Sequence, residues 1–445
     1  MKKLFLLSNL VAVICMFSTQ IMAQLPCNVM VGYWQSSWGT SVRLKDINSN
    51  YNVINLSFLE AGGGDGQSDN NVVSALKFTA TNNANLLADI PVVQAQGKVV
   101  LMSIGGANGS FKLTSTSDVN TFLSKVEAVI QTYGLDGVDI DLERSVYLNQ
   151  TSGGTISSPE SHISYMISAL QQLLAWYQTT YGKKMILTMV PEVAYTVGGL
   201  SSYMSSTYGV PYLAMIEALR DDIDLVMVQL YNASGGSYGL DGKVYYDATA
   251  DFIVSQTEAM IKGFTCVNSK GTYSGLDASK IAVCLPASSA AASSGYVSTS
   301  VAKSAIDYLM GVGSKPGTYT LKTSGGYPTL KGMATWSINT DLDASYSFAN
   351  NYATIFSACP TTTSQQEITS QNEVHLFPNP ASNSITINTS EMLGESVKIY
   401  DVNGQLLFQQ TVNSNSMSVD ISALSSGLYF VQVSSSTPYT LAVDK

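Results

Sequence analysis

The stretch Asp136-Gly137-Val138-Asp139-Ile140-Asp141-Leu142-Glu143 decides how the rest of this chain is read. Acids stand at 139, 141 and 143, and aliphatic residues at 138, 140 and 142. Side chains on a β-strand alternate faces with period two. One face of this strand is therefore carboxylate and the other aliphatic. Crowding three carboxylates is costly unless protons are shared or pKa values are driven apart, and such crowding marks sites of acid–base chemistry. Spaced acids also hold calcium, but calcium loops separate their ligands with polar or glycine residues and need a turn. Val138, Ile140 and Leu142 argue for a strand instead. Asp136, of opposite parity to the acid row, reads as structural, and Gly137 as a relief of crowding.

Outward from this strand, the composition narrows the function. The chain has 445 residues, enough for two or three domains, with 45% apolar and 12% charged residues. That supports a large core and is too apolar for disorder. A net charge of −10 speaks against nucleic acid as a partner. Lys2 and Lys3, the apolar run from Leu4 to Phe17 and then Ile21-Met22-Ala23 read as a secretory leader over residues 1–23. The run is short for a membrane span, and no later segment is long enough. Export permits disulfides: Cys27 and Cys359 bracket the first domain and could be bridged, while Cys284 is either a buried strand residue or a partner of Cys266. The cysteine spacings match no zinc pattern. With His162 and His375 as the two histidines, neither a Ser-His-Asp triad nor a His-rich metal site is expected. Neither a metal nor a cofactor is expected, and carboxylates must do the proton work.

Eight short apolar strands are predicted at Val29–Trp34, Val53–Phe58, Lys98–Ser103, Gly137–Leu142, Met185–Val190, Leu225–Tyr231, Ile281–Leu285 and Gly332–Trp336. Helical patterns separate them, weakest near 41–47 and 84–96, clearer at 119–133, 161–181, 212–220, 249–262, 301–310 and 344–357. The alternation predicts an α/β (β/α)8 barrel over 24–358, with its site at the carboxyl ends of the strands. A polar linker follows at 359–372. Residues 373–445 then read as a small all-β sandwich of short alternating strands, punctuated by turn signals such as Asn403-Gly404.

The ordered motifs resemble those of glycoside hydrolase family 18, the chitinase family. The acid strand resembles that family's D-G-x-D-x-D-x-E signature. Ser103-Ile104-Gly105-Gly106, Leu187 to Glu192, Gln229-Leu230-Tyr231-Asn232 and Met333 to Asn339 resemble its third, fifth, sixth and last strands. The resemblance implies Glu143 as the proton donor to a glycosidic oxygen and Asp141 as the partner of the substrate's N-acetyl group. It implies that Asp139 supports Asp141 from below, and that Tyr231 hydrogen-bonds the acetamide carbonyl. Family 18 is among the exceptions in which the substrate itself replaces the second carboxylate. The resemblance also places Trp336 under the sugar, Tyr33 and Ser103 against the deep aspartate, and Phe58, Met189, Gln229 and Asn232 among the substrate contacts. It implies cis peptides at Ser57–Phe58 and Trp336–Ser337. Many members carry Asp where this chain has Asn232. Trp34 and Trp38 are either cleft residues or packing residues; Trp176 reads as core.

The activity expected is that of a secreted, monomeric chitinase cleaving internal β-1,4 bonds between N-acetylglucosamine units. An endo-β-N-acetylglucosaminidase acting on N-glycans shares the acid motif, and a non-catalytic chitin-binding lectin would usually lack Glu143. The tail resembles the C-terminal sorting domain of proteins exported by the type IX system, through Phe377-Pro378-Asn379-Pro380, Val397 to Asp401 with Gly404, and Leu424 to Tyr429. A generic Ig-like or carbohydrate-binding module is the other reading of that tail. The sorting resemblance implies passage through the periplasm to the cell surface or beyond, with the export machinery as partner.

Overall fold

In a computed structural model, residues 24–61, 72–109, 111–143, 154–201, 210–233, 235–356, 374–389, 394, 396–401, 405–414, 416–433 and 439–445 are described. The leader at 1–23, the linker at 359–372, Cys359 and the Asn403-Gly404 turn lie outside these residues. The chain divides into two compact units, Met1–Cys359 and Pro360–Lys445.

The first unit is built on eight parallel strands: β1 (Val29–Gln35), β2 (Val53–Glu60), β3 (Val99–Gly106), β4 (Gly137–Leu142), β5 (Ile186–Met189), β6 (Leu225–Val226), β7 (Ala282–Pro286) and β8 (Gly332–Trp336). They pair in the order β7-β8-β1-β2-β3-β4-β5-β6. Single bridges Val226↔Ile281 and Gln229↔Cys284 join the two ends, so the sheet curls into a nearly closed barrel. Beyond Val226 the extended backbone continues, with Met227 N–H donating to the Met189 carbonyl at 2.8 Å and Gln229 N–H to the Pro191 carbonyl at 2.9 Å.

Period two sorts the side chains. Val29, Val31, Val99, Leu101, Ile186 and Leu225 fill the barrel interior. Val138, Ile140 and Leu142 of β4 belong to the larger apolar layer between strands and helices. On β4 the interior is therefore filled by Gly137, Asp139 and Asp141 rather than by aliphatic residues. A Cβ at Gly137 would stand 1.9 Å from the Ile186 carbonyl oxygen, so the bottom of β4 has room for glycine alone. Asp136 sits at that lower end and accepts from the Val100 N–H at 3.0 Å and from Gln94 Nε2 at 2.9 Å.

Helices α1 (Asn83–Ala95), α2 (Thr116–Tyr133), α3 (Ser161–Tyr181), α4 (Val210–Ala218), α5 (Ala250–Lys262) and α6 (Thr299–Leu309) follow β2 to β7 in turn. Two elements depart from the expected pattern. The first βα unit has only a 3-10 turn, Leu44–Asp46. A further helix, α7 (Ile338–Asp343), precedes the one expected at 344–357, which is α8 (Ser347–Ile355). A Ser337/Thr340 capping box starts α7 early. Positive φ at Ser345 and Tyr346 breaks the run, and buried Asp341 then caps α8 by accepting from the Phe348 and Ala349 N–H groups.

Cys27 is disulfide-bonded. Cys266 and Cys284 are both free and buried, which removes the Cys266–Cys284 alternative: Cys284 is a barrel-interior residue. Among the described residues no helix is long and apolar enough to cross a membrane.

The second unit is all β and antiparallel. Strands Val374–Phe377, Ser384–Thr389 and Ser416–Asp420 form one sheet. Leu406–Thr411, Ser396–Tyr400, Gly427–Val433 and Tyr439–Val443 form the other. Ile385, Ile387 and Val419 from the first share a core with Val397, Ile399, Val431 and Leu441 from the second. That is a small sandwich, with alternate residues inward along each strand.

Candidate active site

The carboxyl ends of the strands surround a cleft of about 460 Å3, lined by Tyr33, Phe58, Asp141, Glu143, Gln229, Tyr231, Asn232 and Trp336 among others. Its floor is the carboxylate row of β4. Asp139 lies deepest and is fully buried; Asp141 is 4% exposed. Three hydroxyls converge on Asp139: Tyr33 donates to Oδ2 at 2.9 Å, Ser103 to Oδ2 at 2.7 Å and Thr188 to Oδ1 at 2.5 Å. Asn55 lies beside this carboxylate and also favours its charged form, although neither of its side-chain polar atoms makes a hydrogen bond of normal geometry. Burial raises the Asp139 pKa, and these neighbours oppose the rise.

Asp141 has weaker support. Gln229 Nε2 donates to its Oδ1 at 3.0 Å and to Glu143 Oε1 at 3.2 Å. The same nitrogen lies 3.1 Å from the Val190 carbonyl, which orients the amide with its donor toward the acids. Burial drives the Asp141 pKa well above the usual carboxylate range, and the neighbouring charges of Glu143, Asp139 and Glu192 add to it. The rise favours the protonated form of Asp141, which stands beside Glu143, the carboxylate at the mouth.

Aromatic rings form one wall. Phe58 and Trp336 stack with centroids 5.6 Å apart and planes 14° apart. Trp38 extends the strip, 6.1 Å from Phe58 at 27°. Nearly parallel rings present a continuous apolar face to a ring-shaped ligand, while the acids supply the polar face. The peptides Ser57–Phe58 and Trp336–Ser337 are both cis. Tyr231 also lines the cleft, its hydroxyl held in the neutral form by burial and by nearby anionic groups.

Most of the residues singled out from the sequence meet at this cleft. Ser103 does not reach its surface and touches the row through Asp139. Asn232 has positive φ, and its Oδ1 accepts from the Ser293 and Ser294 N–H groups at 2.9 and 3.3 Å, which ties the cleft rim to the loop after β7. Trp38 lines the cleft. Trp34 is 8% exposed and donates from Nε1 to the Val42 carbonyl at 3.0 Å. Trp176 packs edge-on against Tyr177 and Tyr181 at the edge of the helix layer.

Met189 is a correction. It pairs with Ile140 across β4 and β5 and is wholly buried in the strand–helix layer, so it does not line the cleft. Its neighbour Thr188 has the inward parity and reaches Asp139. Glu60 was not anticipated; it follows Phe58 on the inward parity of β2, lines the cleft, and has its pKa raised by burial, with Lys77 opposing. Its position at the carboxyl end of a barrel strand was the signal that could have found it.

A (β/α)8 barrel with buried, unequally supported carboxylates opening on an aromatic-walled cleft has the build of a barrel enzyme that works by proton transfer. Residues 29–377 match the family model for glycosyl hydrolases family 18, and residues 375–442 match the secretion system C-terminal sorting domain. The chain belongs to glycosyl hydrolases family 18. It is 37% identical over 346 residues to a chitinase of Paenibacillus xylanexedens, covering 76% of this chain and 63% of that protein. It is also 37% identical over 329 residues to chitinase D of Niallia circulans, covering 72% and 60%. The chain thus spans somewhat under two thirds of the length of these relatives. A family 18 chitinase structure from Chromobacterium violaceum superposes with a TM-score of 0.62 at 29% identity, covering 74% of this chain and 84% of that one.

Proposed function

We propose that the protein is a secreted chitinase that hydrolyses internal β-1,4 bonds between N-acetylglucosamine units with retention at the anomeric carbon. The observation that carries this reading is the graded carboxylate row. Asp139 has three hydroxyl donors, Asp141 is pushed toward its protonated form, and Glu143 stands at the mouth beside the aromatic wall. The chitinase names of the relatives favour the same substrate class.

In this reading Trp336 and Phe58 carry the sugar whose bond is cut. Glu143 donates a proton to the departing glycosidic oxygen. The carbonyl oxygen of the sugar's own N-acetyl group attacks the anomeric carbon, so no second carboxylate nucleophile is needed. Asp141 hydrogen-bonds the acetamide N–H and offsets the positive charge that develops there, and Tyr231 donates to its carbonyl. As Asp141 becomes charged, the proton it held moves toward Asp139, whose donors adjust to either state. Water then opens the cyclic intermediate, with Glu143 taking its proton. The leader at 1–23 and the tail sandwich support export by the type IX route through the periplasm, with the enzyme acting as a monomer outside the cell.

The test compares the full chain with its Glu143→Gln variant on N-acetylglucosamine oligomers and on a high-mannose glycoprotein. Oligomer cleavage that falls about 100- to 10,000-fold in the variant, the range for losing a general acid–base group, supports the reading. Release of glycan from the glycoprotein with oligomers left intact overturns it, as does equal turnover by both proteins.

A further inference from the structure

Barrel pairing fixes the backbone that follows β6 as far as Leu230, whose N–H donates to the Cys284 carbonyl at 3.1 Å. At Asn232 the chain turns away with φ +51°, a left-handed value that asparagine tolerates better than most residues. Tyr231 stands between the two. Its phenol can serve an acetamide only if the backbone at this turn is held, because misplacing a positioned group by about 1 Å costs about 100-fold in rate.

Two loops converge behind the turn. From the loop after β7, the Ser293 and Ser294 N–H groups donate to Asn232 Oδ1, and the Asn232 N–H donates to the Ser294 carbonyl at 3.4 Å. Gly295 has φ +91° and packs so closely that a Cβ there would stand 2.4 Å from Tyr231 Cα. Asp247, just before α5, joins both sides. Its Oδ2 accepts from the Ala233 N–H at 3.2 Å and from the Ser294 hydroxyl. One carboxylate oxygen thus bridges the turn that carries Tyr231 and the loop that packs on it. Ala248, next in the chain, has φ +60°; strain of this kind persists only where the surroundings over-determine it. Asp247 is not among the described residues that line the cleft, so any effect it has on the reaction passes through its neighbours.

We propose that Asp247 is a positioning residue for Tyr231: with Ser294 it clasps the loops after β6 and β7 together, and the clasp aims the phenol at the substrate's acetamide carbonyl. The inference rests on the functional reading above and adds to it a group outside the cleft. The acetamide carbonyl oxygen is the attacking atom in that reading, and a misaimed phenol leaves it out of line with the anomeric carbon. The loss falls on kcat more than on KM, since the other sugar contacts are untouched.

The test measures kcat and KM of the full-length enzyme on the N-acetylglucosamine hexamer. Asp247→Ala opens the clasp, and Asp247→Asn keeps an oxygen acceptor for both donors. Ser294→Ala removes one donor alone and carries the test if Asp247→Ala does not fold. Activity should fall about 10- to 100-fold in Asp247→Ala, about 3- to 10-fold in Ser294→Ala and less than about threefold in Asp247→Asn, mainly through kcat. In a Tyr231→Phe background, Asp247→Ala and Ser294→Ala should each cost less than about threefold more. Equal losses with and without the Tyr231 hydroxyl overturn the proposal, because a merely structural fault acts in both backgrounds. Wild-type activity in both Asp247→Ala and Ser294→Ala overturns it too. Failure of the wild type to cleave the hexamer overturns the functional reading instead; hydrogen exchange over residues 231–234 then decides the clasp, with faster exchange in Ser294→Ala supporting it and unchanged exchange overturning it.

Discussion

Replacing Thr188 by valine probes the deepest part of the row with almost no change of shape. Thr188 donates to Asp139 Oδ1 at 2.5 Å, while Tyr33 and Ser103 both serve Oδ2. The variant leaves Oδ1 with no hydrogen-bond donor of normal geometry among the described residues. A hydrogen bond to a charged group contributes about 1.5–3 kcal/mol, equivalent to about 1–2 pH units. Burial already raises the Asp139 pKa. A carboxyl group with a raised folded-state pKa contributes stability that is whole below its ordinary range and is lost as pH rises through the folded value. Thr188→Val raises that value further, so it should cost about 1.5–3 kcal/mol near pH 8 and less toward pH 4, as Asp139 takes up a proton. All four tryptophans lie in the barrel unit, so urea unfolding followed by their fluorescence reads that unit of the intact chain. The acid limb of kcat/KM should move up by about 1–2 units as well, since in the proposed mechanism Asp139 must be ionised to receive the proton from Asp141. Equal destabilisation at the two pH values, with an unmoved acid limb, would refute the argument.

Gln229→Leu removes the donor shared by Asp141 and Glu143; kcat/KM on oligomers should fall about 10- to 100-fold, the scale of a charge-assisted hydrogen bond, and a steady-state assay showing less than a threefold loss would count against that role. Asn232→Asp keeps the acceptor for the Ser293 and Ser294 N–H groups but adds an anion to the cleft rim, which favours the protonated acid, so the basic limb of the pH–rate profile should move upward; superimposable profiles would contradict this. Gly105 has φ +116°, and a Cβ there would stand 2.2 Å from the Asp141 carbonyl oxygen. Gly105→Ala should therefore destabilise the barrel by about 1–3 kcal/mol or more, and urea unfolding that matches wild type would refute the close approach of β3 and β4.

Legibility differed between strands for a physical reason. β4 alternates acid and aliphatic residues, so its two faces can be told apart from sequence, and the structure puts the acids inside and Val138, Ile140 and Leu142 outside. β5 reads Ile186-Leu187-Thr188-Met189, and both of its faces are buried. In a parallel strand covered on both sides, hydrophobicity carries no parity signal. Hence Met189 was expected in the cleft, while Thr188, one residue away, makes the contact with Asp139. The break between α7 and α8 was hidden for a similar reason: Asp341 caps α8 from six residues before its start, a contact made by the turn of the backbone at Ser345 and Tyr346 rather than by local spacing.

The sequence by itself determined the eight-strand plan, the acid row and its polarity, and the family, because alternation and ordered motifs are local properties of the chain. It also marked Tyr33, Ser103, Gln229, Tyr231 and Trp336 as residues to bring together. Only the tertiary structure decided how the carboxylates differ. Asp139 and Asp141 sit two residues apart on one strand, yet three hydroxyls from β1, β3 and β5 reach the first and one shared amide reaches the second. Support of that kind comes from strands distant in sequence, and barrel closure sets which of them face which acid. The same closure brought Trp336, Phe58 and Trp38, from β8, β2 and the loop after β1, together along one wall of the cleft.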